Sequence, residues 1–171
     1  IWPMQGDLSA QAASRKSEKT DDPLVIVETD KGTFKIRVFQ EDLPVTGSNF
    51  IKLVKKGFYN GLTFHRYESD FLIQGGDPTA TGTGGSGEKI PLETNDKLKH
   101  SQAGMVGMGR KSDPNSGTSQ FYIILQPRSE LDGKYSVFGK VEEGFETVFQ
   151  LRKGDHMTAV YIDDGNKKKK R

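Results

Sequence analysis

Eight short runs rich in β-branched and aromatic residues, each closed by a cluster of Gly, Pro, Asp or Asn, leave room in this chain for only two helices. Runs 24–29 and 33–39 are joined by Asp30-Lys31-Gly32, and the second alternates strictly, which predicts a β-hairpin. Further strand-like runs fall at 62–67, 71–74, 104–108, 121–125, 136–141 and 159–163. Pro44 opens a helix with Phe50, Leu53 and Val54 on one face and Gly57 as its stop, and a second helix fits 146–151. So many short strands expose aggregation-prone edges unless the sheet closes on itself. The expected fold is therefore all-β: a closed eight-stranded antiparallel barrel capped by two α-helices. With 171 residues, 20 of them glycine, the chain is long enough for one domain and rich in tight turns.

That domain is expected over 23–165. Residues 1–22, dominated from Ser9 by Ser, Lys, Glu, Asp and Ala, are read as a disordered leader or linker. Residues 166–171 carry Lys167 to Arg171, a basic run read as a solubilising tail. The 25 basic and 23 acidic residues mix along the chain and net only +2, so no specific nucleic-acid partner is expected. The absence of cysteine excludes disulfides, thiol catalysis and cysteine-ligated zinc. No stretch reaches the roughly 20 apolar residues of a membrane span. Ala10-Gln11-Ala12 has the small-x-small form of a signal cleavage site, but Gly6 and Asp7 interrupt the apolar run that should precede it; the start at Ile1 and the absence of cysteine lean toward an exported or membrane-tethered protein, with a cytoplasmic one as the alternative. Monomer is the default.

Two familiar patterns do not carry their usual chemistry. Gly82-Thr83-Gly84-Gly85-Ser86-Gly87 spells G-x-G-x-x-G, but Lys89-Ile90-Pro91 follows where a phosphate-binding helix should begin. Ser119, His65 or His100 and several aspartates allow a hydrolytic triad to be drawn, yet no nucleophile elbow accompanies them. His65 is read as structural, and His65, His100 and His156 lack metal-ligand spacing.

The most informative segment is Phe64-His65-Arg66, followed by Phe71-Leu72-Ile73-Gln74-Gly75-Gly76-Asp77. Arginine is the cation that survives in a half-dry pocket, because it stays charged and carries a rigid fork of donors. Phe71, Leu72, Tyr122 and Leu131 read as barrel core when taken alone. Their pairing with Arg66 and Gln74, groups too costly to bury without partners, turns that reading toward an apolar groove with a few convergent polar groups.

With Ser119-Gln120-Phe121 and Leu131-Asp132-Gly133-Lys134 followed by Val137-Phe138-Gly139-Lys140-Val141, this segment resembles the cyclophilin family of peptidyl-prolyl cis-trans isomerases, as a divergent, prokaryote-like member. The likeness runs from about Leu24 to Asp163. It implies the same barrel and an enzyme that assists folding by rotating X-Pro bonds in unfolded or flexible polypeptides, with no cofactor and no metal. A proline-peptide binding or chaperone module with vestigial activity is the alternative. Arg66 would be the catalytic donor and Gln74 would hold the substrate backbone, together with a backbone N–H of Gly109 or Arg110. Phe71, Leu72, Tyr122, Leu131 and Tyr135 would line the proline site, and Gly82 and Glu130 would form its rim. Glu130 stands where the best-known pattern has tryptophan, Tyr135 where it has histidine and Tyr122 where it has phenylalanine. Weak or no cyclosporin binding is expected in consequence.

Overall fold

The structure, a computed structural model, describes residues 22–165. The expected basic tail, and the expected leader apart from Asp22, lie outside the described residues. In chain order the elements are β1 (Leu24–Thr29), β2 (Gly32–Val38), helix α1 (Pro44–Lys55), β3 (Phe64–Glu68), β4 (Leu72–Gly75), β5 (Met105–Met108), β6 (Phe121–Ile124), a 3-10 turn at Ser129–Leu131, β7 (Val137–Glu143), helix α2 (Phe145–Gln150) and β8 (Met157–Ile162). The eight expected strands and both helices are present, with ends displaced by a few residues. The strands pair antiparallel in the order β3-β4-β6-β5-β7-β2-β1-β8.

The sheet curls into a barrel, and the seam between its end strands is short. It consists of an isolated bridge between Thr63 and His156 and bonds such as Phe64 N–H to Asp155 O at 2.8 Å and Met157 N–H to Leu62 O at 2.7 Å. Closure is thus real but local, rather than a full ladder of strand pairs.

Two apolar layers lie on opposite faces of the sheet. Inside the barrel, Val25, Val27, Phe34, Ile36, Phe64, Ile73, Val106, Phe121, Ile123 and Phe138 form the main core. On the outer face Leu72, Met105, Tyr122, Ile124 and Val137 form a second cluster, with Phe71, Leu131 and Tyr135 packed against it. Strict alternation along β4 and β6 explains the division, since Ile73, Phe121 and Ile123 point inward while Leu72, Tyr122 and Ile124 point outward. Both faces of β5 and β6 are consequently buried, and these strands read as continuous apolar runs.

Helix α1 inserts Phe50 among Tyr59, Phe121 and Phe138, with ring centroids 5.2, 5.5 and 4.9 Å away. Its first residue is Pro44 and no side chain of its own caps it. The carboxylate of Glu93 does so from a distant loop, accepting the Val45 and Thr46 N–H groups at 3.1 and 2.6 Å. Gly57 takes a left-handed φ of 75° just past the helix end, as expected of a glycine stop. No helix among the described residues is long and apolar enough to cross a membrane.

Candidate active site

A β-bulge decides where Arg66 points. On β3, Arg66, Tyr67 and Glu68 lie opposite Gln74, Ile73 and Leu72, whereas Phe64 lies opposite Gly75, so His65 is the extra residue. Phe64 and Tyr67 both face the inner core although three positions apart, and Arg66 and Glu68 share the outer face with Gln74 and Leu72.

The guanidinium of Arg66 is held from two sides. Its Nε donates to Glu68 Oε2 at 2.7 Å, its Nη2 donates to the same oxygen, and its Nη1 donates to Gln74 Oε1 at 3.1 Å. One N–H on each Nη stays available, since the fork carries five donors. Gln74 in turn donates to Gln120 Oε1 at 2.9 Å. Gln120 donates to the carbonyls of Gly82 and Gly84 at 3.0 and 2.8 Å. The loop bearing those carbonyls is wrapped around buried Asp77, whose carboxylate accepts N–H bonds from Thr79, Thr81, Gly82 and Gly84. Burial pushes the Asp77 carboxyl up, but these donors outweigh it and hold the group far below the usual carboxylate range.

Two cavities flank this chain of bonds. The smaller, about 140 Å³, is lined by Arg66, Gln74, Gly109, Arg110, Phe71, Leu72, Tyr122, Leu131 and Tyr135, which are the residues expected in the catalytic and substrate-binding roles. The larger, about 720 Å³, shares Arg66, Gln74, Gly109 and Arg110 and is walled by the glycine loop that contains Gly82. Glu130 sits on the 3-10 turn, 3.7 Å from Arg128, and borders neither cavity. The Gly109 N–H is engaged with Gln120 O at 2.8 Å. Of the two expected backbone holders, that leaves Arg110.

Cations and rings complete the smaller cavity. Arg66 and Arg128 place their guanidinium carbons 5.8 and 4.9 Å from the Phe71 ring centre. Arg110 lies 4.6 Å from the centre of the Tyr135 ring, which meets Tyr122 edge-on at 5.9 Å. Tyr122 is 4% exposed, and its hydroxyl lies 2.6 Å from Nε2 of fully buried His100. His65 borders the larger cavity and bonds nothing through its buried Nδ1. Burial lowers its pKa against the pull of the Asp77 carboxylate, leaving a neutral ring. Among the described residues no three His, Cys, Asp or Glu side chains are grouped to hold a metal ion.

Glu68, Gln120, Asp77, His100 and Asp132 belong to the site's bonding although none of them is among the residues expected to act there. Two of these had a signal. Glu68 is two residues from Arg66 on a strand, hence on its face, and Gln120 stands in the same relation to Tyr122. His100 and Asp132 act across the fold, whereas Asp77 gathers the N–H groups of its own loop, two to seven positions on.

Known proteins fit this arrangement. The family profile described as cyclophilin type peptidyl-prolyl cis-trans isomerase/CLD matches residues 24–169. A peptidyl-prolyl cis-trans isomerase of Synechococcus elongatus is 46% identical over 80% of this chain and 94% of its own length. A peptidyl-prolyl cis-trans isomerase of Arabidopsis thaliana is 42% identical over 75% of this chain and 80% of its own. A cyclophilin type isomerase of Cryptosporidium parvum superimposes with a TM-score of 0.78 at 31% identity, covering 82% of this chain and 97% of that one. The same parasite protein has been solved in the presence of the dipeptide Ala-Pro, at a TM-score of 0.77 and 32% identity. A barrel with this strand order, its arginine and glutamine converging on a chamber walled by Phe71, Leu72, Tyr122 and Leu131, and relatives this similar along their length, place the chain in the cyclophilin-type peptidyl-prolyl cis-trans isomerase family.

Proposed function

We propose that this isomerase works by donating a hydrogen bond from Arg66 to the proline nitrogen of an X-Pro bond whose proline ring sits in the 140 Å³ chamber. The barrier is amide resonance, about 18–20 kcal/mol. Rotation removes that resonance, so the nitrogen becomes pyramidal and regains a lone pair that can accept a proton donor. A donor aimed at this lone pair stabilises the twisted state and has nothing to bond in the planar one, which is the condition for raising kcat. No nucleophile or cofactor is needed for a bond that only turns.

The observation that carries the proposal is the state of the Arg66 fork. Glu68 and Gln74 fix its orientation and leave an N–H on each Nη at the mouth of a chamber walled by Phe71, Leu72, Tyr122 and Leu131. Gln74 and the Arg110 backbone would hold the peptide on either side of the bond, and Tyr135 would close the far end. Substrates are proline-containing segments that are unfolded or flexible, because only an extended chain can lay its backbone along this open groove.

A proline-limited peptide assay of the domain with and without Arg66→Ala tests this. Loss of the donor should lower kcat about 10²- to 10³-fold while changing KM far less, the magnitude typical of one preorganised donor to a developing charge. A wild-type domain that binds proline peptides yet leaves their exchange at the spontaneous rate would make it a binding module instead.

A further inference from the structure

Beneath the proline chamber lies a line of polar groups that bond rotation does not call for. His100, fully buried, has its Nδ1 2.9 Å from Asp132 Oδ1, and its own amide donates to that oxygen at 2.7 Å. Its Nε2 lies 2.6 Å from the hydroxyl of Tyr122. The charges decide who donates. Burial raises the Asp132 carboxyl, but the amide and ring of His100 outweigh this and keep it an anion that can only accept. Burial lowers the His100 pKa against the pull of Asp132, so the ring is neutral and carries a single N–H. That proton sits on Nδ1, Nε2 is bare, and the Tyr122 hydroxyl donates to it.

This line ties two walls of the chamber together. Tyr122 is its floor on β6, and Asp132 directly follows the wall residue Leu131 at the end of the 3-10 turn. The turn is fastened again where the Arg128 N–H donates to the His100 carbonyl at 2.9 Å. On its other side the Tyr122 ring rests on Gly107, where an added Cβ would stand 2.2 Å from the hydroxyl oxygen. The ring is therefore clamped between a glycine and a histidine. His100 itself does not line the chamber.

We propose that His100 is a positioning residue of the isomerase: through Tyr122 on one side and Asp132 on the other, it sets the width of the slot that receives the proline ring. This rests on the isomerase reading above. A slot grips the ring alike in the planar and twisted states, so a slackened slot raises KM and leaves kcat nearly alone.

The test compares Tyr122→Phe, His100→Asn and the double variant of the full chain in a proline-limited peptide assay run well below their melting temperatures. Each single change should raise KM about three- to tenfold, the worth of one buried hydrogen bond, with kcat within about twofold. The double variant should be no worse than His100→Asn, since both remove the same bond. In the wild type, ¹⁵N–¹H correlation should show the proton on Nδ1. Should His100→Asn fail to fold, Tyr122→Phe, which loses one oxygen, and the tautomer still decide. An unchanged KM in Tyr122→Phe, multiplying effects in the double variant, or a proton on Nε2 would overturn the proposal. A wild type that accelerates nothing would sink the isomerase reading alone, because peptide dissociation constants of the same variants still report the width of the slot.

Discussion

Replacing Asp77 by asparagine keeps the side chain's shape and removes its charge, which isolates what one buried anion does for the wall of the larger cavity. The carboxylate oxygens divide their donors. Oδ1 takes the Thr79 N–H at 2.8 Å and the Thr79 hydroxyl at 2.7 Å, and Oδ2 takes the N–H groups of Thr81, Gly82 and Gly84 at 3.1, 2.6 and 3.1 Å. An amide has one acceptor oxygen. Turned toward the larger set it keeps three bonds and sets its NH₂ against the Thr79 N–H; turned the other way it does the same to three backbone donors. Bonds to a charged acceptor are worth about 1.5–3 kcal/mol each, and a stranded buried donor costs about 1–3. A destabilisation of about 2–4 kcal/mol follows, or roughly 5–15 °C in melting temperature for a domain of this size.

Its pH dependence has a definite sign. The folded pKa of Asp77 lies below that of the unfolded chain, about 3.9. Its stabilisation is therefore complete above pH ~4 and disappears as pH falls through the folded value. The difference between wild type and Asp77→Asn should be constant from neutrality to about pH 4 and shrink below it. Urea unfolding followed by far-UV circular dichroism at pH 7, 5 and 3 would measure it. A difference under about 1 kcal/mol at neutrality, or one that grows toward acid, would refute the reasoning. Because the Gly82 and Gly84 carbonyls receive Gln120, the variant should also loosen the path from Gln120 through Gln74 to Arg66.

Glu93→Gln weakens the carboxylate cap on α1 and should cost about 1 kcal/mol, or roughly 2–4 °C in a thermal melt; no shift would mean that water replaces the cap. Cyclosporin should inhibit poorly, because exposed Glu130 stands where a tryptophan is expected to meet the drug, and Glu130→Trp should tighten inhibition about tenfold or more. Nanomolar inhibition of the wild type would end that argument.

Much of this was legible from residue order because strands have a period of two and turns have a chemistry. The hairpin at Asp30-Lys31-Gly32, the proline start and glycine stop of α1, and all nine residues lining the smaller cavity follow from local pattern or family likeness. What escaped was non-local or a matter of counting, except for Asp77, whose donors sit two to seven positions on in a loop with no regular period to betray it. Glu93 caps a helix that begins 49 residues earlier in the chain, at Pro44, and bonds Val45 across 48 positions. His100 meets Asp132 across 32 positions and Tyr122 across 22. No window of sequence contains such pairs. Glu68 and Gln120 were within reach, since same-face neighbours on a strand can be counted, but this requires knowing that the functional face is the outer one.

The bulge at His65 resembles a dislocation in a crystal: on either side of it the same strand runs in opposite phase. Phe64 belongs to the half that closes the barrel, and Arg66 to the half that faces the groove. Were His65 drawn into the ladder as an ordinary strand residue, every side chain beyond it would change sides. Tyr67 would swing into solvent, and the guanidinium would be driven toward Ile73 and Phe121, where an unpaired cation is untenable. The placement of the charge on which the proposed mechanism rests is thus an arithmetic property of the backbone, set by the two residues, an even number, between the inward-facing rings of Phe64 and Tyr67.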